Sequence, residues 1–354
     1  MIQKFKKSIL LVSAIAFISL GYSQTKEAKI DQLLNEKFKA NTTGAAVLIT
    51  QKGKTTYRKA FGLSNLELNV KMKPENVFEI GSMTKQFTAV SILMLVEQGK
   101  ISLQDEITKF IPDYPTHGQK ITVHHLLNHT SGIKSYTSMR TLFEVARNDM
   151  KPLELIKFFR DEPVDFNPGE KYKYNNSAYI ILGYIIEKTS GISYAEYVQQ
   201  HIFNKLNMAN SMYASHSKMI KNRASGYHNR GGYQNAMYIS HTLPYAGGSL
   251  MSTIDDMSLW QQALTANALL KKETLQKAYN NYTLNNGEKI NYGYGWNIKK
   301  MNNELAYEHG GSIFGYKSMG IYIPNKDMYV VILTNCDCVS PTQLTRDITK
   351  IMLE

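Results

Sequence analysis

Cysteine is nearly absent from this chain: Cys336 and Cys338 are the only two in 354 residues. A disulfide scaffold is thereby excluded, and so are zinc ribbons and fingers. Several catalytic signatures are missing too. No Gly-x-Ser-x-Gly occurs, and Ser249 in Gly247-Gly248-Ser249 comes closest without the second glycine. His125 and His129, with His124 beside them, have metal-ligand spacing, but no Glu follows His125, so the metalloprotease motif is absent. Arg230-Gly231-Gly232 lacks the preceding strand and following helix of a phosphate loop. There are no internal repeats or low-complexity tracts, and nothing beyond residue 23 is apolar and long enough to cross a membrane. Acidic residues are in deficit, 29 against 41 Lys and Arg, for a formal charge of +12. With 43% hydrophobic and 20% charged residues the chain is an ordinary globular one, long enough for one large domain or two intimate subdomains. The basic balance alone admits nucleic acid, an anionic membrane or a cell-envelope polymer as partner.

The first residues narrow that choice. Lys4, Lys6 and Lys7 precede an uncharged, mostly apolar run from Ser8 to Leu20, too short for an ordinary spanning helix. Gly21 and Ser23 then supply small residues at the −3 and −1 positions of a cut before Gln24. This reads as a cleavable secretory signal over residues 1–23, with an uncleaved anchor as the alternative. No cysteine follows the run, which disfavours a lipoprotein anchor. Losing the three lysines takes the charge from +12 to +9. The expected location is periplasmic or secreted. There nucleic acid is an improbable partner and an anionic envelope polymer a better one. Cys336 and Cys338 stand two apart after the apolar run Met328–Asn335. A bond between them would close a very small ring, so they read as ordinary strand-end residues, with a redox pair as the alternative.

Periodicity predicts a helix over Ile30–Ala40 and a hairpin of Gly44–Gln51 and Thr55–Leu63 about a Lys52-Gly53 turn. Phe78–Gln98 holds a strong helical run with a core-facing side, and Ser177–Ser190 and Ser193–Leu206 are further helices. Thr253 with Asp256 marks a helix start. Strands return at Tyr292–Ile298, Lys317–Ile323 and Met328–Thr334, the last two joined by a turn at Asn325–Asp327, before a closing helix over Pro341–Leu353. The economical fold is α/β: an antiparallel sheet of about five strands built from both termini and flanked by the terminal helices. A mainly helical subdomain, roughly residues 105–285, is inserted between its halves. A cleft between the two would be a natural site.

Ser-x-x-Lys occurs four times, at Ser23, Ser82, Ser131 and Ser215. Only Ser82 follows a glycine and opens a strong helix. There Lys85 shares its face one turn on, and the helix N-terminus favours developing negative charge. A neutral Lys85 could take the Ser82 proton as the oxygen attacks a carbonyl. An ordinary lysine titrates near about 10.4, so a base working near neutrality must lose roughly 3 units, about 4 kcal/mol, through burial or a second cation. On spacing alone, a serine cap followed by a solvated lysine explains the pair as well. Tyr174-Asn175-Asn176 before a helix and His309-Gly310-Gly311 in the late strand region shift that balance.

With these motifs the sequence resembles the serine β-lactamase and penicillin-binding-protein superfamily, in its class C-like D,D-peptidase and esterase branch. The likeness runs from about Gly44 to about Thr334. In order it takes in Phe78–Lys85, Leu126–Gly132, Asn167-Pro168-Gly169 with Tyr174–Asn176, Ala246-Gly247-Gly248 with Ser252-Thr253, Tyr292–Trp296 and His309–Gly311. The resemblance implies a β-lactamase/transpeptidase-like fold and an acyl-enzyme on Ser82. Lys85 and Tyr174 would share proton transfer, and Asn176 would orient lysine and substrate. The backbone N–H groups of Ser82 and Ser312 would form the oxyanion hole. His309, Gly311 and Ser312 would border the substrate. No metal or organic cofactor is implied.

The chain departs from the family at His309-Gly310-Gly311, where Lys-Thr-Gly is familiar. Gly310 lacks the hydroxyl that helps bind a substrate carboxylate, and a histidine is only partly charged near neutrality. Both changes favour esters and amides lacking that carboxylate over efficient β-lactam hydrolysis. The expected activity is cleavage of amides or esters, with peptidoglycan-type D-amino-acid peptides first and small esters second. A true β-lactamase and a non-catalytic penicillin-binding or sensor module are the competing readings. Loop tyrosines Tyr227, Tyr233, Tyr238 and Tyr245 could line a cleft or simply pack.

Overall fold

The computed structural model describes residues 24–354, and the expected leader lies outside the described residues. Among the described residues no helix is long and apolar enough to cross a membrane. The central feature is a six-stranded antiparallel sheet. Its spatial order is Asn297–Met301, Glu304–Ile313, Tyr316–Ile323, Met328–Thr334, Ala45–Gln51 and Lys54–Phe61. The last strand in the chain pairs with the first, Ala45 opposite Thr334 through Gln51 opposite Met328, so the two ends of the chain meet inside the sheet.

One strand more is present than the apolar pattern suggests. Glu304–Ile313 carries Glu304, Glu308, His309, Gly310 and Gly311, residues that dilute a β signal, yet it is paired on both edges. The strand expected at Tyr292–Ile298 begins instead at Asn297. The turn at Asn325–Asp327 forms as a short 3₁₀ segment ending on Asp327 at φ +42°.

Alternation sorts the strands onto two buried faces. Ala45, Val47, Ile49, Ile321, Val330 and Ile332 point to one face. The amphipathic helices Lys26–Lys37 and Pro341–Leu353 cover it, through Ile30, Leu34, Leu344 and Ile348. Ala46, Leu48, Val331 and Leu333 point the other way, into the main core shared with the helix Thr84–Glu97. That helix is not amphipathic as expected. Every residue from Thr84 to Leu95 is buried, polar ones included. Its polar side chains are bonded internally: Gln86 accepts from Trp260 Nε1, and Thr88 donates to the Ala246 carbonyl. Asn176–Ser190 and Ile254–Thr265 pack around it, the first capped by Asn175 onto Ala178 N and the second, as the sequence suggests, by Thr253 onto Asp256 N.

Cys336 and Cys338 are joined in a disulfide, against the expectation of two ordinary strand-end thiols. The chain turns sharply just past the last strand. Thr334 Oγ1 donates to the Cys336 carbonyl and Asp337 N–H to the Tyr227 carbonyl. This turn brings the two Cα atoms to 5.1 Å.

Beside His309, the buried Glu308 is held by Arg346 from the C-terminal helix, at 2.5 and 3.1 Å, and by Lys299 at 2.7 Å. Burial acts to raise the Glu308 carboxyl, and the two cations outweigh it, leaving its pKa lowered. A lowered carboxylate contributes stability above the free glutamate value, about 4.3, and loses it as pH falls through the folded value. Arg346→Ala is therefore expected to cost about 2 kcal/mol at pH 7. In urea titrations the variant and the wild type should converge on acidification. A gap that persists at low pH would assign the loss to packing instead.

Candidate active site

Three segments far apart in sequence meet on the sheet edge of the main core. The first is the turn that carries Ser82. Gly81 takes φ +50°, and Gly81–Met83 form a 3₁₀ turn running directly into the helix Thr84–Glu97. A side-chain carbon on Gly81 would fall 2.8 Å from Ser312 N, and one on Gly311 would fall 1.9 Å from the Ile80 carbonyl. Glycine at both positions lets the late strand press backbone to backbone on the nucleophile turn. Ser318 Oγ, donating to the Ile80 carbonyl at 2.8 Å, pins that contact. The N–H groups of Ser82 and Ser312 are thus brought to neighbouring turns of chain.

Lys85 is fully buried, and its amine has three partners: Ser82 Oγ at 3.0 Å, Asn176 Oδ1 at 2.9 Å and the Gly247 carbonyl at 2.8 Å. Desolvation lowers its pKa to about 7. The bonding pattern orients the neutral form. Asn176 Oδ1 and the Gly247 carbonyl can only accept, and Asn176 Nδ2 is already given to Thr137 Oγ1. A neutral amine has two N–H bonds and one lone pair. With both N–H bonds committed, the lone pair is left for the one partner that can donate, the Ser82 hydroxyl.

Tyr174 lies over this amine, its ring centroid 4.9 Å from Lys85 Nζ. Desolvation raises its pKa, with the nearby Ser82 hydroxyl opposing, so at neutral pH it is a phenol. Tyr174 and Asn176 are positioned by the loop Leu126–Gly132. His129 is buried at φ +63°. Its Nδ1 accepts Asn175 N–H at 3.1 Å, and its carbonyl accepts Lys173 N–H. The Asn175 amide also donates to the Ile133 carbonyl. The loop signature is therefore a clamp for the Tyr-Asn-Asn segment. His124 and His125 spend ring nitrogens on Tyr294 and on Thr122.

His309 is buried and neutral. Its Nδ1–H donates to the Gly310 carbonyl at 2.6 Å and its Nε2 faces the Tyr292 hydroxyl at 3.0 Å. Desolvation, then the Lys85 amine, lowers its pKa to about 3. The partial charge expected of this histidine is absent. A side chain at Gly310 would meet Met319 Sδ at 3.2 Å and Thr342 at 3.9 Å, beneath the C-terminal helix. A hydroxyl there would lie under that helix, so the missing side chain relieves packing.

Ser82, Asn176 and Ser312 line a cavity of about 270 Å³ with Leu142, Leu243 and Phe314. A larger, more open depression of about 1020 Å³, around Glu170, Tyr172 and Lys289, contains none of the proton-transfer groups, so chemistry rather than volume selects the site. The loop tyrosines Tyr227, Tyr233, Tyr238 and Tyr245 do not line the Ser82 cavity. Ser249 is buried, with its hydroxyl donated to the His241 carbonyl. Three participants escape sequence reasoning: the Gly247 carbonyl, Thr137 behind Asn176, and Asp337 on the cavity wall. Only the Ala246-Gly247-Gly248 motif signalled one of them.

The beta-lactamase family model matches residues 27–348. Penicillin-binding protein 4* of Bacillus subtilis is 28% identical over 326 residues, covering 86% of this chain and 70% of that protein. Protein flp of Staphylococcus aureus is 26% identical over 87% of this chain, which spans 63% of that relative's length. Among solved structures, the octameric penicillin-binding protein homologue from Pyrococcus abyssi superposes with a TM-score of 0.79 at 32% identity, over 93% of this chain and 76% of the other. D-amino acid amidase from Ochrobactrum anthropi SV3 superposes with a TM-score of 0.81, over 93% and 98% of the two chains. At 22% identity that likeness is one of fold.

A Lys85 amine titrating near 7 predicts how Ser82 responds to pH. The rate of Ser82 modification by a fluorophosphonate should rise with pH, inflect at about 7 and level off above about 8, because only the unprotonated amine can accept the serine proton. A rise centred near the free-lysine value, about 10.4, would remove Lys85 as the base.

Proposed function

This chain belongs to the beta-lactamase family of serine hydrolases, and on that premise we propose that it is an exported enzyme working through an acyl-enzyme on Ser82. The three-point grip on the Lys85 amine carries this reading, because it leaves one lone pair and aims it at one hydroxyl. In the proposed cycle Lys85 takes the Ser82 proton as Oγ adds to the substrate carbonyl. The N–H groups of Ser82 and Ser312 receive the oxyanion, each donor worth about 10²- to 10³-fold in rate. The proton then passes from Lys85 through the Tyr174 phenol to the leaving nitrogen or oxygen. The carbonyl re-forms, and the amine or alcohol departs. Water repeats the sequence on the ester, returns the proton to Ser82 and releases the acid.

The substrate is proposed to be an amide or ester of small amino-acid or peptide character, D-amino-acid peptides of peptidoglycan type first and small esters second. Two observations weigh against a substrate held by its carboxylate, as in a dedicated β-lactamase, and favour amides and esters without one. His309 is neutral, and among the described residues no Lys or Arg lines the Ser82 cavity to hold a substrate carboxylate. The name of the D-amino acid amidase neighbour is in keeping with such substrates. Export is supported by the Lys4–Ser23 pattern. At +9 after processing, the enzyme would sit comfortably against an anionic envelope polymer.

A hydrolysis panel of p-nitrophenyl esters, D-Ala-D-Ala peptides and nitrocefin tests the reading. Ester or peptide turnover is expected, falling at least about 10⁴-fold in Ser82→Ala. Nitrocefin turnover at the rates of a resistance enzyme would establish the β-lactamase instead. A chain that hydrolyses nothing, and takes no Ser82-dependent label from fluorophosphonate or fluorescent penicillin, would be a non-catalytic module.

A further inference from the structure

Among the described residues, one charged side chain lines the Ser82 cavity. Its lining is otherwise neutral, with an apolar side made by Leu142, Ile239, Leu243 and Phe314, and the exception is Asp337. This aspartate is held from three directions. Its backbone lies between the disulfide-bonded Cys336 and Cys338. Its N–H donates to the Tyr227 carbonyl at 3.2 Å. Its Oδ2 is 2.5 Å from Nδ1 of the buried His228.

The hydrogen bonds on His228 settle where the charge sits. His228 Nε2 faces the backbone N–H of Met237 at 2.9 Å, and a backbone N–H can only donate. Nε2 is therefore an unprotonated acceptor, and the single ring proton is on Nδ1, given to Asp337. The imidazole is neutral, so the pair carries the full charge of the carboxylate. Among the described residues no Lys or Arg lies within ion-pairing distance of Asp337, and its only such partner is this histidine. Lys317, opposite Ser312 across the strands, does not line the cavity. An anchored, uncompensated anion on the wall of the nucleophile's cavity repels a substrate carboxylate and attracts a cation.

We propose that Asp337 is the specificity-determining residue of the cleft and that it receives an ammonium group carried by the acyl-donor residue of the substrate. The apolar wall takes that residue's hydrocarbon side. The proposal rests on the acyl-enzyme reading of Ser82 and narrows its substrate class to unblocked, amine-bearing amino-acid amides and esters. Two positions can offer the ammonium, the α-amine or a side-chain amine, and the same carboxylate chemistry serves both.

Three chromogenic amides separate these cases: D-phenylalanine p-nitroanilide, its N-acetyl derivative, and Nα-acetyl-D-lysine p-nitroanilide. Wild-type enzyme should prefer at least one cationic substrate to N-acetyl-phenylalanine p-nitroanilide by about ten- to a hundred-fold in kcat/KM, chiefly through KM, as for a hydrogen bond to a charged group. The preferred arm identifies the amine. In Asp337→Asn that ratio should fall towards one, because the amide still accepts from His228 Nδ1 but carries no charge. Asp337→Glu, which keeps the charge, should retain part of the preference, and a thermal melt checks that both variants fold. A preference that survives in Asp337→Asn, or a wild-type enzyme indifferent to the amine, overturns the proposal while leaving the acyl-enzyme intact. Absence of both hydrolysis and Ser82 labelling in the wild type overturns the acyl-enzyme reading itself, and the proposal with it.

Discussion

Everything at this site depends on keeping one amine dry. Bringing the Lys85 pKa from 10.5 to about 7 corresponds to roughly 5 kcal/mol of discrimination against the charged form. That discrimination comes from burial, not from a neighbouring cation. The surrounding architecture serves the same end. A helix buried on all sides carries the lysine, and the Tyr174 ring covers it. Two acceptors without protons of their own take up its N–H bonds. An exposed lysine at the same i, i+3 spacing would be a cation at neutral pH and of no use as a base.

The second constraint is backbone proximity. The nucleophile turn and the late strand touch through Gly81, Ile80, Gly311 and Ser312, at distances no side chain would permit. This contact couples the proton-transfer half of the site, carried by helices, to the oxyanion half, carried by the sheet. The strand is held in turn by Glu308 and its two cations on the side facing the C-terminal helix. The C-terminal helix therefore bears on the site although it contributes no group to it.

The charge within the cleft reverses the charge of the whole. A basic protein keeps a neutral lysine and a neutral histidine buried behind its cleft and sets an aspartate on the cavity wall. Bulk charge speaks to association with large polyanions. The few groups on the cavity wall govern what small molecule is held, because they lie closest to it and Coulomb interactions weaken with distance.

Ser82 with Lys85, one helical turn apart, and Tyr174 with Asn176, two positions apart at a helix start, were legible in the sequence as short-range pairs, but the ordered series of motifs around them was needed to tell the first from a serine cap and a solvated lysine. The sheet from both ends, the terminal helices and the hairpin turn at Asn325–Asp327 were legible for the same reason, since short-range periodicity encodes them. The strand Glu304–Ile313 was obscured because its glycines and charges answer to long-range contacts with Ile80 and Arg346 rather than to strand propensity. Tertiary structure alone decided the rest. Burial on every side turned Lys85 into a base, and burial beside the Lys85 amine keeps His309 a neutral ring. A turn past the last strand joined Cys336 to Cys338 and set Asp337 on the cavity wall. A titration state depends on how much water and which partners surround a group in three dimensions, and no local spacing of residues contains that information.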